Sequence, residues 1–402
     1  MKHPAPRPAR LVPAAVIALC LLFSAVALSA CGGSSGGTAD AETAAESSGS
    51  NSTGSAGASE TSGSTESVDS SGSALQTAEA KVKEASAAPS GWTGPTSAPK
   101  PEGGKLIVMI DIAATTQSSG RLIAGFEAAG KALGWRTQVI DGEGDPAKMN
   151  AGFDTAIQEG ADGIYLVAVE APMVTEGLEK AKSAGIPVVS GSVGEPQPGV
   201  NFVVDAHYTQ RGEDIAAAAV KDTGGEAKIG MFTLAEGTAI GDETEGTEKY
   251  LEENGGGEIV ASTDFIITDI GTPALGQKAI AFLQANPEIN ALWVAWDSPA
   301  AGIIPALKAA GIEVPVYSFE GDTQDLDFIR EGELQKADGA APLEWVSWGA
   351  MDALNRLFDG EKTVDEGIPI KLLTKENLPP KGQPWTGEYD YASEYEKLWG
   401  VG

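Results

Sequence analysis

Two acidic residues that end apolar, strand-like runs are the strongest candidates for chemistry in this sequence. Asp297 follows the apolar run 291–295 and Trp296, and Glu170 ends the similar run 162–169. Open α/β sheets bind their ligands beyond the carboxyl ends of their strands. Trp296, Asp297 and Glu170 could therefore present an aromatic surface and two strong hydrogen-bond acceptors to a small molecule.

Three of the acidic and aromatic candidates also have a purely structural interpretation. Trp296 could fill the core at a strand end, since large aromatic side chains are mostly buried. Glu170 could be a solvated charge that favours the N-terminal dipole of the following helix. Asp111, at the end of the first strand, fits a structural role and a ligand contact equally well. The residue types alone leave both interpretations open.

Motifs of metal-binding and catalytic proteins are incomplete in this chain. The acidic residues at 141, 143 and 145 begin like a calcium loop, but Pro146 and Gly152 stand where such a loop needs Gly and Glu. Beyond residue 30 the sequence holds one histidine, His207, and one cysteine, Cys31. These exclude a zinc site and give little support to a Ser/His/Asp triad. We therefore expect no metal and no cofactor.

The elements that must position these candidates follow a regular alternation. From residue 105 onward, strand-like runs alternate with helical segments of about 10–15 residues, which indicates parallel sheets covered by helices on both faces. The sequence Lys-x-Ala-Gly-Ile followed by an apolar strand occurs twice, at 182–189 and 308–316. A unit used twice predicts two Rossmann-like lobes with a cleft between them, and thus the α/β class.

The first 30 residues have the features of a secretory signal peptide. Basic residues precede an apolar run at 11–27, which is shorter than the ~20 residues of a membrane-spanning helix. The sequence Leu-Ser-Ala-Cys at 28–31 matches the bacterial lipobox and predicts cleavage before Cys31 and lipidation of its thiol. A plain signal peptide with an incidental cysteine is the alternative.

The composition changes again after the predicted cleavage site. Residues 31–104 are rich in Ser, Gly, Thr, Ala and Glu. They have too few large apolar side chains to form a core, so we predict that the lipidated cysteine is followed by a disordered tether.

Acidic residues dominate the charge of the chain. Asp and Glu number 57 against 27 Lys and Arg, and the formal net charge is −30. Nucleic acid and anionic lipid surfaces would repel such a protein. We expect neither as a partner.

Several short motifs occur in an order and spacing that point to one family. They are Ala-Gly-Ile-Pro-Val-Val at 184–189, Pro-Glu-Ile-Asn-Ala-Leu-Trp at 287–293 and Val-Tyr-Ser-Phe-Glu-Gly at 316–321. With them, the stretch 105–378 resembles the type I periplasmic solute-binding proteins, the ribose- and galactose-binding family. The resemblance implies two lobes joined by a three-segment hinge, with these boundaries: first lobe 105–204 and 341–368, second lobe 205–340 and 369–378, and an aromatic C-terminal extension at 379–402.

The resemblance also implies a ligand site between the lobes. In this family the ligand contacts the loop after the first strand and several later strand ends. Carried over by position, the ligand-binding residues of this chain would be Thr115, Thr116, Gln117, Ser118, Ser119, Ser192, Phe265, Trp296, Asp297 and Glu320.

The function implied by the resemblance is that of a monomeric solute-binding lipoprotein of an ABC importer. It would serve the importer permease from the extracytoplasmic face of the cell membrane, held there by its N-terminal lipid anchor. Sugar binders of the family often carry arginine after strand four and near 241–243, where this chain has none, so we expect a more acidic cleft. A neutral sugar or polyol is the expected small polar solute, and a cationic amine is the alternative.

Two other functions remain open at this stage. One is a ligand-sensing lipoprotein that signals to a receptor. The other is an envelope enzyme in which Asp297 and Glu320 would act as a carboxylate pair.

Overall fold

The computed structural model describes residues 70–89, 91–194, 196–234 and 237–402. The predicted signal peptide, Cys31 and the first part of the predicted tether lie outside the described residues. Within the described ranges, no helix has the length and apolar character needed to cross a membrane.

Eleven strands and eleven α-helices make up the described part of the chain. The strands are β1 Leu106–Asp111, β2 Arg136–Asp141, β3 Gly163–Val167, β4 Val188–Gly191, β5 Phe202–Val203, β6 Ala227–Thr233, β7 Gly257–Asp264, β8 Ala291–Val294, β9 Val316–Phe319, β10 Gln335–Ala340 and β11 Lys371–Thr374. The helices are α1 Ser70–Ala85, α2 Gln117–Leu133, α3 Pro146–Gln158, α4 Thr175–Ala184, α5 Tyr208–Asp222, α6 Thr238–Asn254, α7 Pro273–Ala285, α8 Asp297–Ala309, α9 Thr323–Glu331, α10 Leu343–Phe358 and α11 Tyr391–Trp399.

The first lobe is built on a parallel five-stranded sheet in the order β2-β1-β3-β4-β5. Its central strands β1 and β3 are buried along their whole length, because helices cover both faces of a parallel sheet. Helix α10 packs against α2 and β4, although it follows the second lobe in sequence.

The second lobe is built on a six-stranded sheet in the order β11-β10-β9-β8-β6-β7. Its strands are parallel except for β11, which pairs with β10 in the antiparallel direction. Short strands such as β8 and β9 are fully buried. The predicted α/β class with two helix-covered, mainly parallel lobes is confirmed.

The chain passes between the two lobes four times, at 204–207, 341–342, 359–370 and 386–390. A short-range hydrogen bond stabilises the first passage: the Asp205 carboxylate accepts from the backbone N–H of His207 at 2.7 Å. His207 adopts a left-handed backbone conformation with φ 55°. This tight turn directs the chain into helix α5.

The second part of the predicted tether is ordered, which corrects the prediction of disorder for 31–104. Helix α1 buries Ala74, Ala78 and Val82, which recur every four residues and so share one helix face. That face packs on α5. Small apolar side chains are sufficient here because they allow the two helices to approach closely.

The helix of the aromatic C-terminal extension packs on the first lobe. In helix α11, Tyr395 and Trp399 are buried and join the core around α10. The Trp399 ring stacks on Trp348 at a centroid distance of 5.3 Å, and its indole N–H donates to the Asp352 carboxylate at 2.7 Å. Helix α11 therefore completes the first lobe, whereas Trp385 earlier in the extension is buried against Leu326 and Leu373 of the second lobe.

Candidate functional site

A cavity of about 100 Å³ lies where the carboxyl ends of the two sheets face each other. Six of the residues predicted for the site line it: Thr116, Ser118, Ser119, Ser192, Trp296 and Glu320. Glu170, Tyr208, Arg211 and Glu243 add further polar groups. Four predicted residues, Thr115, Gln117, Phe265 and Asp297, do not line it.

The loop after β1 contributes its later residues to the cavity and exposes the earlier ones. Thr116 is the N-cap of α2, and its hydroxyl accepts a hydrogen bond from the backbone N–H of Ser119 at 3.2 Å. This cap turns Ser118 and Ser119 inward, where both are buried. Thr115 and Gln117 are exposed, and their contact with a ligand stays a prediction.

Asp111 supports this loop from below. Its Oδ1 accepts hydrogen bonds from the backbone N–H of Ala113 at 2.8 Å and from the Ser119 hydroxyl at 2.9 Å. Burial raises the pKa of Asp111 to about 6. Asp111 is absent from the cavity lining and holds residues that belong to it, which favours its structural interpretation.

Trp296 supplies the aromatic surface of the cavity. It precedes α8 as the N-cap residue and is half-buried. Phe265 lies behind it at a ring-centroid distance of 5.3 Å, is itself buried, and stacks on Phe232 at 5.4 Å. Phe265 therefore supports the Trp296 ring, and its contact with a ligand stays a prediction.

Asp297 is turned away from the cavity and is fully buried. Its carboxylate accepts hydrogen bonds from the Ser318 hydroxyl at 2.5 Å and from the backbone N–H of Asp322 at 2.7 Å. Burial, together with the nearby carboxyl groups of Asp338 and Asp325, raises its pKa well above the usual range. Asp297 therefore joins the ends of β8 and β9, and its contact with a ligand stays a prediction.

Glu320 presents its carboxyl group to the cavity from the turn after β9. Its backbone is held at φ 104°, a conformation rare for residues other than glycine. The Oε2 atom is buried without a hydrogen-bond partner among the described residues. Burial and the neighbouring Asp322 raise the pKa of Glu320 to about 7, against the lowering effects of Ser118, Arg211 and Arg121. The carboxyl group can thus both accept and donate near neutral pH.

Arg211 provides a cation in the cleft, at a position that the sequence prediction of a more acidic cleft did not include. Its guanidinium lies 5.1 Å from the Tyr208 ring and 5.4 Å from the Phe319 ring. It donates to the Gly339 carbonyl at 2.9 Å and pairs with Glu243 at 3.1 Å. Two rings, a carbonyl and a carboxylate thus fix one arginine at the cavity wall.

The sequence did contain a signal for Arg211. Helix α5 is rich in alanine, and Arg211, Ile215 and Ala219 recur every four residues along one face. All three are buried. A charged residue on an otherwise apolar helix face must find a partner when buried, and this marks it as a candidate.

Two further contacts close the cleft from lobe to lobe. The Ser118 hydroxyl of the first lobe donates to Asp322 of the second at 2.8 Å. Arg121 of α2 pairs with the same Asp322 at 3.0 Å and donates to the Glu320 carbonyl at 2.8 Å. Arg121 also donates to the Trp385 carbonyl at 2.7 Å, which ties the C-terminal extension to this junction. The two lobes are therefore in a closed arrangement.

Comparison with known proteins identifies the architecture. A family model described as a periplasmic binding protein domain matches residues 113–362. The chain belongs to the periplasmic binding protein family. Among curated relatives, this periplasmic binding protein is similar to the ribose import binding protein RbsB of Bacillus subtilis, with 23% identity over 71% of this chain and 92% of the relative.

Solved structures share the fold of this periplasmic binding protein. A sugar ABC transporter protein from Yersinia enterocolitica superposes with a TM-score of 0.64 and 22% identity, over 76% of this chain and 99% of that one. A solute-binding protein from Agrobacterium vitis with bound allitol superposes with a TM-score of 0.61 and 23% identity, over 68% and 96% of the respective chains. In the described ranges of this chain, no group of three or more His, Cys, Asp or Glu residues is arranged to hold a metal ion.

Proposed function

We propose that this protein is the solute-binding lipoprotein of an ABC importer and that its ligand is a neutral sugar or polyol. The names of its relatives support the class of ligand, since one is a ribose import binding protein and one similar structure holds allitol. The observation that carries the proposal is the mixed polar cavity, in which the Trp296 ring shares the wall with Arg211, Glu320 and Ser118.

Each part of this cavity suits a polyhydroxylated molecule. The C–H surface of a sugar ring packs on an aromatic face, and its hydroxyl groups both donate and accept hydrogen bonds. The guanidinium of Arg211 can only donate, whereas the carboxyl group of Glu320 accepts. A hydroxyl group can serve both of these residues.

The charges of the lining disfavour ionic ligands. A phosphate or carboxylate ligand would meet Glu170, Glu243 and Glu320, while a cation would meet Arg211. Arg211 is already paired with Glu243 at 3.1 Å. A cationic amine, bound between the Trp296 ring and the Glu320 carboxylate, is the competing ligand class that a binding experiment must separate.

We propose further that the protein has no catalytic activity. Asp297, one member of the carboxylate pair considered for hydrolysis, is buried, and its carboxylate accepts hydrogen bonds from the Ser318 hydroxyl and the Asp322 backbone N–H. Only Glu320 of that pair lines the cavity. Anchoring through a lipid on Cys31 at the extracytoplasmic face of the membrane, delivery to an importer permease and a monomeric state complete the proposal.

A ligand panel tests the proposal directly. Thermal shift is measured with ribose, allose, allitol, myo-inositol, putrescine, choline and citrate, followed by calorimetric titration of any ligand that shifts the melting temperature. A ligand at a hundred times its dissociation constant adds about 2.7 kcal/mol of stability. We expect shifts with sugars or polyols only. A shift with putrescine or choline alone would replace the ligand class.

Uptake separates an importer from a sensor. Cells that lack this protein should lose uptake of the radiolabelled sugar identified by the panel. Unchanged uptake, with a lost transcriptional response to that sugar, would favour the sensing lipoprotein. Release of cleaved product from a chromogenic glycoside would contradict the absence of catalysis.

A further inference from the structure

Residues 70–89 and 91–99 run from the second lobe to the first, N-terminal to the family domain at 113–362. They comprise helix α1 and an extended segment that follows it. This stretch, here named the strap, contacts both lobes through specific side chains.

The strap is attached to the second lobe by apolar and ionic contacts. Ala78 and Val82 of α1 are buried in the core of that lobe. The Lys81 ammonium lies 3.0 Å from the Asp214 carboxylate and 3.3 Å from that of Glu213, both in α5. At the end of the helix, the Ser86 carbonyl accepts a hydrogen bond from the Asn377 amide at 3.1 Å.

The strap is attached to the first lobe by an aromatic stack. The Trp92 ring lies parallel to Trp345 at a centroid distance of 5.1 Å and an interplanar angle of 4°, and edge-on to Tyr395 at 5.2 Å. Further along, the amide of Asn355 donates to the Pro99 carbonyl at 2.7 Å. The Arg356 guanidinium donates to the Ser97 carbonyl.

Between these attachments the strap follows the third passage of the chain between the lobes. The Thr93 hydroxyl donates to the Gly367 carbonyl at 2.5 Å. A side chain at Gly367 would place its Cβ only 1.9 Å from the Thr93 carbonyl oxygen, so the two backbones touch. Gly367, which contacts Thr93, precedes the second-lobe strand β11, and Asn377, which contacts Ser86, follows it. The strap and the third passage therefore lie side by side.

We propose that the strap is an additional connection between the lobes, beside the four passages of the chain, and limits how far the cleft opens. Trp92 is the sixth residue after Ser86, so the two attachments can lie at most ~20 Å apart. A rotation that increases their separation beyond this reach must break the stack on Trp345 or the contacts of α1. The strap therefore keeps the ligand-free protein near the closed arrangement.

Lengthening the strap tests the proposal without removing either attachment. Six Gly/Ser residues are inserted between Ala88 and Pro89, and the same insertion before Ser70 serves as the matched control. Spin labels at Lys148→Cys and Gln277→Cys, both combined with Cys31→Ser, report the distance between the lobes in the absence of any ligand. The measurement is therefore independent of the proposed sugar ligand.

We expect the insertion at 88 to lengthen and broaden the distance distribution relative to the control, with an unchanged melting temperature. Trp92→Ala, which removes the aromatic stack on the first lobe, should lengthen the distances in the same direction. The proposal is overturned if the two insertion variants give the same distribution. It is equally overturned if the insertion at 88 lowers the melting temperature and leaves the distances unchanged, because the strap would then act on stability alone.

Discussion

The carboxylate of Glu170 in the first lobe caps helix α6 of the second lobe. Its Oε1 accepts hydrogen bonds from the backbone N–H of Thr238 at 2.7 Å and from the Thr238 hydroxyl at 2.8 Å. The N-cap residue of α6 is Gly237, which has no side chain that could accept a hydrogen bond from the first turn of the helix. The helix is thus capped from across the cleft, and this contact can exist only when the lobes are closed.

Glu170→Ala should weaken ligand binding more than folding. Loss of an N-cap typically costs about 0.5–2 kcal/mol. Because this cap forms only when the lobes close, its loss makes closure less favourable by that amount, and we expect affinity to fall roughly 2- to 30-fold. Calorimetric titration with the sugar identified by the panel measures this. Glu179→Ala, at an exposed position of α4, is the matched control and should bind like the wild type. Equal affinities for both variants would contradict the cap.

Trp296→Ala should remove the aromatic surface of the cavity. Anchors of this kind commonly contribute more than about 2 kcal/mol, so we expect affinity to fall at least about tenfold with a modest change in melting temperature. Trp293→Phe replaces the buried tryptophan of β8, which does not line the cavity, and should leave affinity unchanged. An unfolded Trp296→Ala protein, or one with normal binding, would assign Trp296 to the core.

Stability should decrease between pH 5 and pH 8. Burial raises the pKa of Glu320 from 4.5 to about 7 and that of Asp338 to about 6. In this window the folded state binds more protons than the unfolded state, so the free energy of unfolding falls as pH rises. Glu320→Gln removes one titrating group and should reduce the difference in melting temperature between pH 5 and pH 8. An undiminished difference would contradict the raised pKa.

Glu320→Gln should also weaken binding, and more strongly for an amine than for a neutral sugar. Only a cation uses the full charge of the carboxylate. Titration of the variant with the panel ligands at pH 8, where the carboxylate is mostly ionised, measures the two losses. A larger loss for the sugar than for the amine would contradict this charge argument.

A chain that begins at Gly104 should melt at a lower temperature than one that begins at Ser70. The shorter chain loses α1, whose Ala78 and Val82 are buried against α5, and loses the Trp92 stack. It also leaves Asp214, which burial holds at a raised pKa of about 6, without Lys81. Thermal unfolding followed by circular dichroism decides this. Equal melting temperatures would restore the tether prediction for the whole of 31–104.

Cys31→Ser should release the protein from membranes while the folded domain still binds its ligand. The cysteine stands at the predicted cleavage site, and serine offers no thiol for lipidation. Fractionation of cells followed by immunoblotting measures the release, and Ser34→Ala is the control that should stay with the membranes. A Cys31→Ser protein that remains in the membrane fraction would show that the lipobox prediction is wrong.

The sheets were predictable because buried parallel strands read as continuous apolar runs. The position of Trp296 at a strand end followed from the same pattern. The orientation of the Asp297 side chain did not follow from this pattern, because it depends on which nearby backbone N–H groups can donate to it. Asp322 offers its own N–H at 2.7 Å, and this contact joins two strand ends that are 25 residues apart in sequence.

The sequence contained a signal for Arg211 and one for α1, each visible at helical spacing, but neither was recognised. Arg211 interrupts an apolar face of α5, and Ala74, Ala78 and Val82 form a narrow stripe in a polar segment. The tether was predicted from the polar composition of 31–104, and the four-residue spacing of the apolar side chains in α1 was given too little weight. The partner surface of α1 lies on α5, more than 120 residues away, and a local pattern cannot locate it.

Helix α10 has a consequence for the order of folding. It covers α2 and β4 of the first lobe, yet it is synthesised after the entire second lobe. Until α10 has emerged, the side of α2 at Gly125, which the backbone of Glu344 closely approaches, lacks its final cover. Pairings so distant in sequence form slowly. The lobe that begins first is therefore completed late, and the nascent chain stays unfolded longer than the length of either lobe alone would suggest.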